Sequence, residues 1–128
     1  MKISYSFDDN EIKADEPLGS VTIADGKAQL VAETVYLDDF FSALTTAYTR
    51  SAAERTSLVE LNSEPEPIII ERRGMGLVLK YGKNEVWISS TTEFETELEI
   101  ACNRLLQAFP EGTDQNPDFG PVRDFLAR

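Results

Sequence analysis

Residues 68–89 read Ile-Ile-Ile-Glu-Arg-Arg-Gly-Met-Gly-Leu-Val-Leu-Lys-Tyr-Gly-Lys-Asn-Glu-Val-Trp-Ile-Ser, and this stretch decides the fold. Its apolar positions recur with a period of two, the period of a half-buried strand. The aliphatic runs Ile68–Arg73, Leu77–Tyr81 and Glu85–Ser89 are cut by Gly74-Met75-Gly76 and Gly82-Lys83-Asn84. Links this short cannot carry a crossover, so the three strands must run antiparallel. Alternation sorts their side chains into two sets. Ile68, Ile70, Leu77, Leu79, Val86 and Ile88 form one face. Glu71, Arg73, Val78, Lys80, Glu85 and Trp87 form the other. A tryptophan beside arginine and lysine is the composition of an interface anchor, and Arg73, Lys80 and Trp87 are candidates for contact with a partner.

Outward from this core, Ser57–Leu61 reads as a further strand, separated from Ile68 by a loop holding Pro65 and Pro67, since proline suits neither a helix interior nor a central strand. Residues 37–55 carry Leu37, Phe40, Phe41, Leu44, Ala47, Tyr48 and Ala52 at spacings of three and four, which predicts an amphipathic helix. Asp38 and Asp39 in its first turn suit the helix dipole. Upstream, 2–7 alternates, and the runs 20–24 and 27–35 flank Asp25-Gly26, a hairpin-turn dipeptide. Downstream, Thr92 with Glu95 three residues on has the capping-box pattern. Phe94, Leu98, Ala101, Leu105 and Phe109 then make a helical stripe that ends at Pro110 and Gly112. A polar linker, 110–118, leads to a short tail helix with Phe119, Val122, Phe125 and Leu126. The expected fold is α+β: one domain over 1–128, an antiparallel sheet of six to seven strands, two main helices packed on one face and a short C-terminal helix. Two helices cover only one face of such a sheet, so the other meets solvent or a partner.

The chain has 128 residues and a net charge of −11, from 23 acids and 12 bases. That charge disfavours nucleic acid and anionic membranes as direct ligands, because both are held by clustered Lys and Arg, and it favours attraction to basic partners. The acid is unevenly placed. Residues 1–66 hold 13 acids against 5 bases and residues 93–128 hold 8 against 3, but residues 67–92 hold 2 against 4. Three acidic features are candidate contacts for a basic partner: Asp8, Asp9, Glu11, Asp15 and Glu16 in the loop after the first strand; Glu64 and Glu66 between the prolines; and Glu93, Glu95, Glu97 and Glu99 opening the second long helix.

Chemistry is limited by what is missing. With no histidine and one cysteine, Cys102, the chain lacks a Ser-His or Cys-His pair, a cysteine-rich metal site and an internal disulfide. Cys102, among Leu98, Leu105 and Leu106, reads as a small buried hydrophobe. Gly76 to Gly82-Lys83 is not a phosphate loop. Five residues separate the glycines, Asn84 stands where Ser or Thr would ligate magnesium, and the segment between reads as strand. No catalytic residue, metal or cofactor is therefore expected. The rival to a binding role is a carboxylate enzyme using Mg²⁺ or Mn²⁺, which needs acids that converge in one pocket. No run approaches the length of a membrane span and the N-terminus lacks the apolar core of a signal peptide, so a cytoplasmic location is expected.

Across Leu58–Ser90, the loop Glu64-Pro65-Glu66-Pro67, the aliphatic strands, the glycine turn and the Trp-bearing strand, with a helix on each side, resemble the small immunity proteins of bacterial contact-dependent growth inhibition and related polymorphic-toxin systems. The resemblance is one of architecture and covers residues 20–109. It implies a monomeric cytoplasmic protein that neutralises a toxin domain, often a basic nuclease, by occluding its active site, with anionic side chains in place of substrate phosphates. An acidic, dimeric secretion chaperone of the type III kind is similar in size and charge and is the alternative.

Overall fold

The structure is a computed structural model that describes residues 1–8, 17–109 and 118–128. Its elements are β1 (Lys2–Phe7), β2 (Leu18–Asp25), β3 (Ala28–Tyr36), α1 (Leu37–Glu54), β4 (Thr56–Val59), β5 (Ile68–Arg73), β6 (Gly76–Tyr81), β7 (Asn84–Ile88), α2 (Thr91–Gln107) and α3 (Gly120–Ala127). The fold is α+β with seven antiparallel strands, as the alternation predicts. The strands form two sheets, not one: β1-β2-β3 and β4-β5-β6-β7.

The cause of the split lies at the end of β3. The β2–β3 register shifts between Gly19 and Val21, and Thr34 has φ +55, so the strand is bent before it ends. It then passes without a loop into α1, whose N-cap is Tyr36, and the Leu37 N–H bonds to Pro17 O at 2.9 Å. A helix of 18 residues carries the chain roughly 27 Å at 1.5 Å per residue. Arg55, with φ +67, ends it, and β4 starts a new sheet.

Helix packing also departs from two helices side by side on one face. α1 packs against β2 and β3 of the first sheet and β4 and β5 of the second, whereas α2 packs on β1, and α3 touches both helices. α1 therefore lies at the centre of one continuous core, with Leu37, Phe40, Phe41, Leu44 and Ala47 buried in it. Each of the four Leu and Phe side chains among them contributes about 1.5–3 kcal/mol by leaving water. Ala52 of the expected stripe is exposed. Ser51 is buried in that turn instead, where its hydroxyl donates to Tyr48 O and accepts from Arg72 Nε at 2.8 Å.

The second helix starts two residues earlier than the Thr92 pattern suggests. Its N-cap is Ser90, whose Oγ accepts from the Glu93 N–H at 3.2 Å; Ser90 and Glu93 have the same spacing as Thr92 and Glu95. The sheets meet where β7 approaches β2 and β3. There Asp25, in the β2–β3 turn, accepts from the Ser89 N–H at 2.8 Å and the Ser89 hydroxyl at 3.1 Å. No helix among the described residues is long and apolar enough to cross a membrane. Residues 110–117 of the expected linker lie outside the described residues.

Two neighbouring glycines have different physical roles. Gly74 opens the two-residue β5–β6 turn with φ +57 and open space around it, whereas a Cβ on Gly76 would lie 2.2 Å from Ile88 O. Gly74→Ala is therefore expected to cost about 1–2 kcal/mol, the strain of a left-handed residue. Gly76→Ala, which must move backbone, should cost more. Urea unfolding of both variants checks the order; equal losses would contradict it.

Candidate functional site

The two hairpin turns of the second sheet fix its register. Thr56 pairs with Glu71, Glu71 with Val78, and Val78 with Trp87; one row along, Leu58 pairs with Ile69, Ile69 with Lys80, and Lys80 with Glu85. Side chains alternate across the pleat, so these eight share a face. The opposite set, Ile68, Ile70, Leu77, Leu79, Val86 and Ile88, is buried in the core, as the alternation requires. Leu58, Ile69, Val78 and Trp87 thus run diagonally across the outer face, one from each strand. Leu58 is 53% exposed and Trp87 48%, and Met75, 86% exposed, stands in the β5–β6 turn.

Charge on this face is balanced and locally paired. Arg73 makes two bonds to Glu71, Nε to Oε1 at 3.1 Å and Nη2 to Oε2 at 3.2 Å, and that hydrogen bonding holds the Glu71 carboxyl below its ordinary range. The same guanidinium lies 5.9 Å from the Trp87 ring centroid, within cation–π range. Val78, between Trp87 and Glu71 in the register, is only 1% exposed, although it points away from the core. Two acids, Glu71 and Glu85, face two bases, Arg73 and Lys80. A face with large apolar side chains, pre-positioned arginine and no net charge suits docking against another protein surface.

The structure separates the other described candidates from this face. Glu64 and Glu66 lie in the β4–β5 loop, where they and Asp39 surround Tyr81. Burial first, then these three charges, raises the Tyr81 phenol. Of the α2 acids, Glu95 accepts from the Tyr48 hydroxyl at 2.9 Å. Arg128 reaches Glu95 at 3.2 Å and Glu99 at 2.6 Å, its guanidinium 3.8 Å from the Phe125 ring centroid. Glu95 and Glu99 thus bind α3 and α1 to α2, an internal use that the sequence reading assigned to a partner. Glu93 and Glu97 instead line a hollow of about 280 Å³ with Met1, Thr92 and Thr96. Asp8 is exposed and its N–H bonds to Leu18 O; Asp9, Glu11, Asp15 and Glu16 lie outside the described residues. Arg73, Lys80 and Trp87 come together; among the described residues the acidic candidates do not join them.

Leu58, Ile69 and Met75 were not among the sequence candidates. Alternation within Ile68–Arg73 already sets Ile69 beside Glu71 and Arg73, and carrying it into the Ser57–Leu61 strand would have found Leu58. Met75 carries no signal beyond its place in a turn. Cys102 is fully buried, and burial pushes its thiol up to about 12, so the reactive thiolate is scarce at neutral pH. Among the described residues no group of three or more His, Cys, Asp or Glu is placed to hold a metal ion.

The nearest approach to converging acids is a cavity of about 180 Å³ lined by Tyr36, Asp38, Asp39, Ser42, Asn62, Ser63 and Asp118. Its acids serve the fold. Asp39 accepts the Asn62 and Ser63 N–H groups at 3.0 and 2.8 Å, and Asp38 accepts the Asp118 N–H at 3.2 Å. Burial raises the Asp38 carboxyl above its ordinary 3.8, despite those main-chain bonds. A carboxyl raised in the folded state lowers stability as pH climbs from 3.8 through the folded value, and the loss is complete above it. Asp38→Asn keeps the acceptor and removes the charge. It should therefore be more stable than the parent at pH 7, with the difference closing below pH 3.8. Thermal unfolding across pH 3–8 tests this, and a variant less stable at pH 7 would contradict it.

No protein-family model matches this chain, and no match was found among curated proteins or solved structures.

Proposed function

We propose that the chain is a non-catalytic, protein-binding inhibitor of the immunity type, which holds a cognate toxin domain against the open face of the β4–β7 sheet. The observation that carries this reading is the outer-face diagonal of Leu58, Ile69, Val78 and Trp87, exposed at its two ends, with Arg73 fixed beside the indole by Glu71. Lone exposed hydrophobes need no explanation, but an aligned set with a pre-positioned arginine has the make-up of a hot spot with its surround. The charge of −11 supports a basic partner, and the proposed site of action is the cytoplasm. In this reading the work is divided. Acids away from the face, among them Glu64, Glu66, Glu93 and Glu97, raise the association rate through the long-range field. The neutral apolar face sets dissociation. Occlusion then comes from bulk docked beside or over the toxin's active site, and the face itself does not imitate a row of phosphates.

The test is affinity capture from host lysate, and from products of the genes beside this one, with parent and Trp87→Ala chains as paired baits. The parent should retain one basic domain and protect cells from it. Trp87→Ala should weaken binding by about 2 kcal/mol, roughly 30-fold, mostly in the off-rate. Charge reversal at Glu64, Glu66, Glu93 and Glu97 should slow association and leave dissociation nearly unchanged. Full affinity in both Trp87→Ala and Leu58→Ala would falsify the assignment of this face. A dimeric bait retaining a secreted effector would favour a chaperone instead.

A further inference from the structure

The ladder geometry of the second sheet identifies an unfilled edge. The Arg72 N–H donates to Arg55 O at 2.8 Å, in line with the register that pairs Thr56 with Glu71. Arg55 and Arg72 are therefore a hydrogen-bonded pair. Such pairs recur at every second residue of an antiparallel ladder. Ser57 and Val59 thus turn their main-chain groups toward β5, and Thr56 and Leu58 turn theirs outward. Following the same parity through β6 makes Ser89 point outward from β7, and its N–H is indeed captured there by Asp25.

The sheet edges are managed differently. β7 lies against β2 and β3, with Asn84 Nδ2 reaching Val31 O at 3.5 Å, and β1 has α2 packed on it. Beyond its partner β5, β4 pairs with no other strand among the described residues; α1 meets it from the core side, where Ser57 Oγ donates to Ala47 O at 2.6 Å. Thr56 and Leu58 are exposed, and no described residue bonds their outward N–H and C=O groups. Unpaired edges of this kind are templates for strand addition.

We propose that β4 receives an extended strand from a partner polypeptide, bonded to the N–H and C=O groups of Thr56 and Leu58. This rests on the reading of the chain as a protein binder and goes beyond it by naming the recognition mode. The added strand would continue the open face, so its residue opposite Leu58 is apolar, extending the diagonal through Ile69. A neighbouring cation on that strand meets the exposed Glu60. The edge favours a different chain over a second copy. A second copy would bring together two molecules that each carry −11, each with the exposed Glu60 just beyond β4, and that repulsion opposes self-pairing.

The probe is an acetylated, amidated peptide alternating valine and threonine between terminal lysines, titrated into the full chain with amide NMR as the readout. Shifts should centre on Thr56 and Leu58. An N-methylated peptide, which cannot donate on that side, should bind at least tenfold more weakly. Leu58→Pro removes one outward N–H without touching the β5 ladder and should lose the peptide equally. If that variant unfolds, the N-methylated peptide alone decides. Trp87→Ala should keep peptide binding, so failure here is distinguishable from failure of the open-face reading. No shift at millimolar peptide, or equal binding of the N-methylated form, overturns the proposal. So does a concentration-dependent dimer abolished by Leu58→Pro, which would make the occupant a second copy.

Discussion

A β-sheet has two faces and two edges, and in this chain one helix serves two sheets. α1 packs between them, touching β2 and β3 on one side and β4 and β5 on the other. It can do so because apolar residues surround most of its length: Leu37, Phe40, Phe41, Ala43, Leu44, Ala47 and Tyr48 are all buried. α1 is taken up by the two sheets and by α3, and α2 lies on β1. The outer face of the four-stranded sheet is left uncovered, and everything argued for function follows from that shortage of cover.

Much of this is legible in the sequence because the 68–89 segment has a single consistent period. Three apolar runs joined by glycine turns fix antiparallel pairing, and one fixed register decides which residues face in. Alternation puts Trp87 on the opposite face from Val86 and Ile88, but it leaves open which face is inside; the structure sets Val86 and Ile88 in the core and Trp87 outside. The division into two sheets is not legible in this way. It depends on Thr34 and Arg55, two non-glycine residues with positive φ, and no local preference marks either one. The Ser90 cap was obscured because Ser90/Glu93 and Thr92/Glu95 satisfy the same spacing rule, and only packing of Phe94 and Leu98 into the core selects the first.

The acidic residues show where sequence reading of charge reaches its limit. Glu93, Glu95, Glu97 and Glu99 look equivalent on paper. In the fold Glu95 and Glu99 both pair with Arg128, and burial, followed by the hydrogen bond to Glu95, raises the Tyr48 phenol to about 12. Glu93 and Glu97 face away beside Met1. Helical spacing could have divided the four into these two pairs, but nothing in it says that a C-terminal arginine arrives on one side. The open face, by contrast, has a balanced charge in a strongly acidic chain, which separates long-range attraction from the contact that holds.

The proposed docking depends on Trp87 lying on an uncovered face of the free chain. As the only tryptophan, it reports on that face without labelling. The most direct measurement is its fluorescence in the free protein, with acrylamide quenching, over a hundredfold range of protein concentration. The account predicts red-shifted emission with ready quenching, both independent of concentration. Blue-shifted emission protected from quencher at every dilution would mean the face is already covered, and would contradict it.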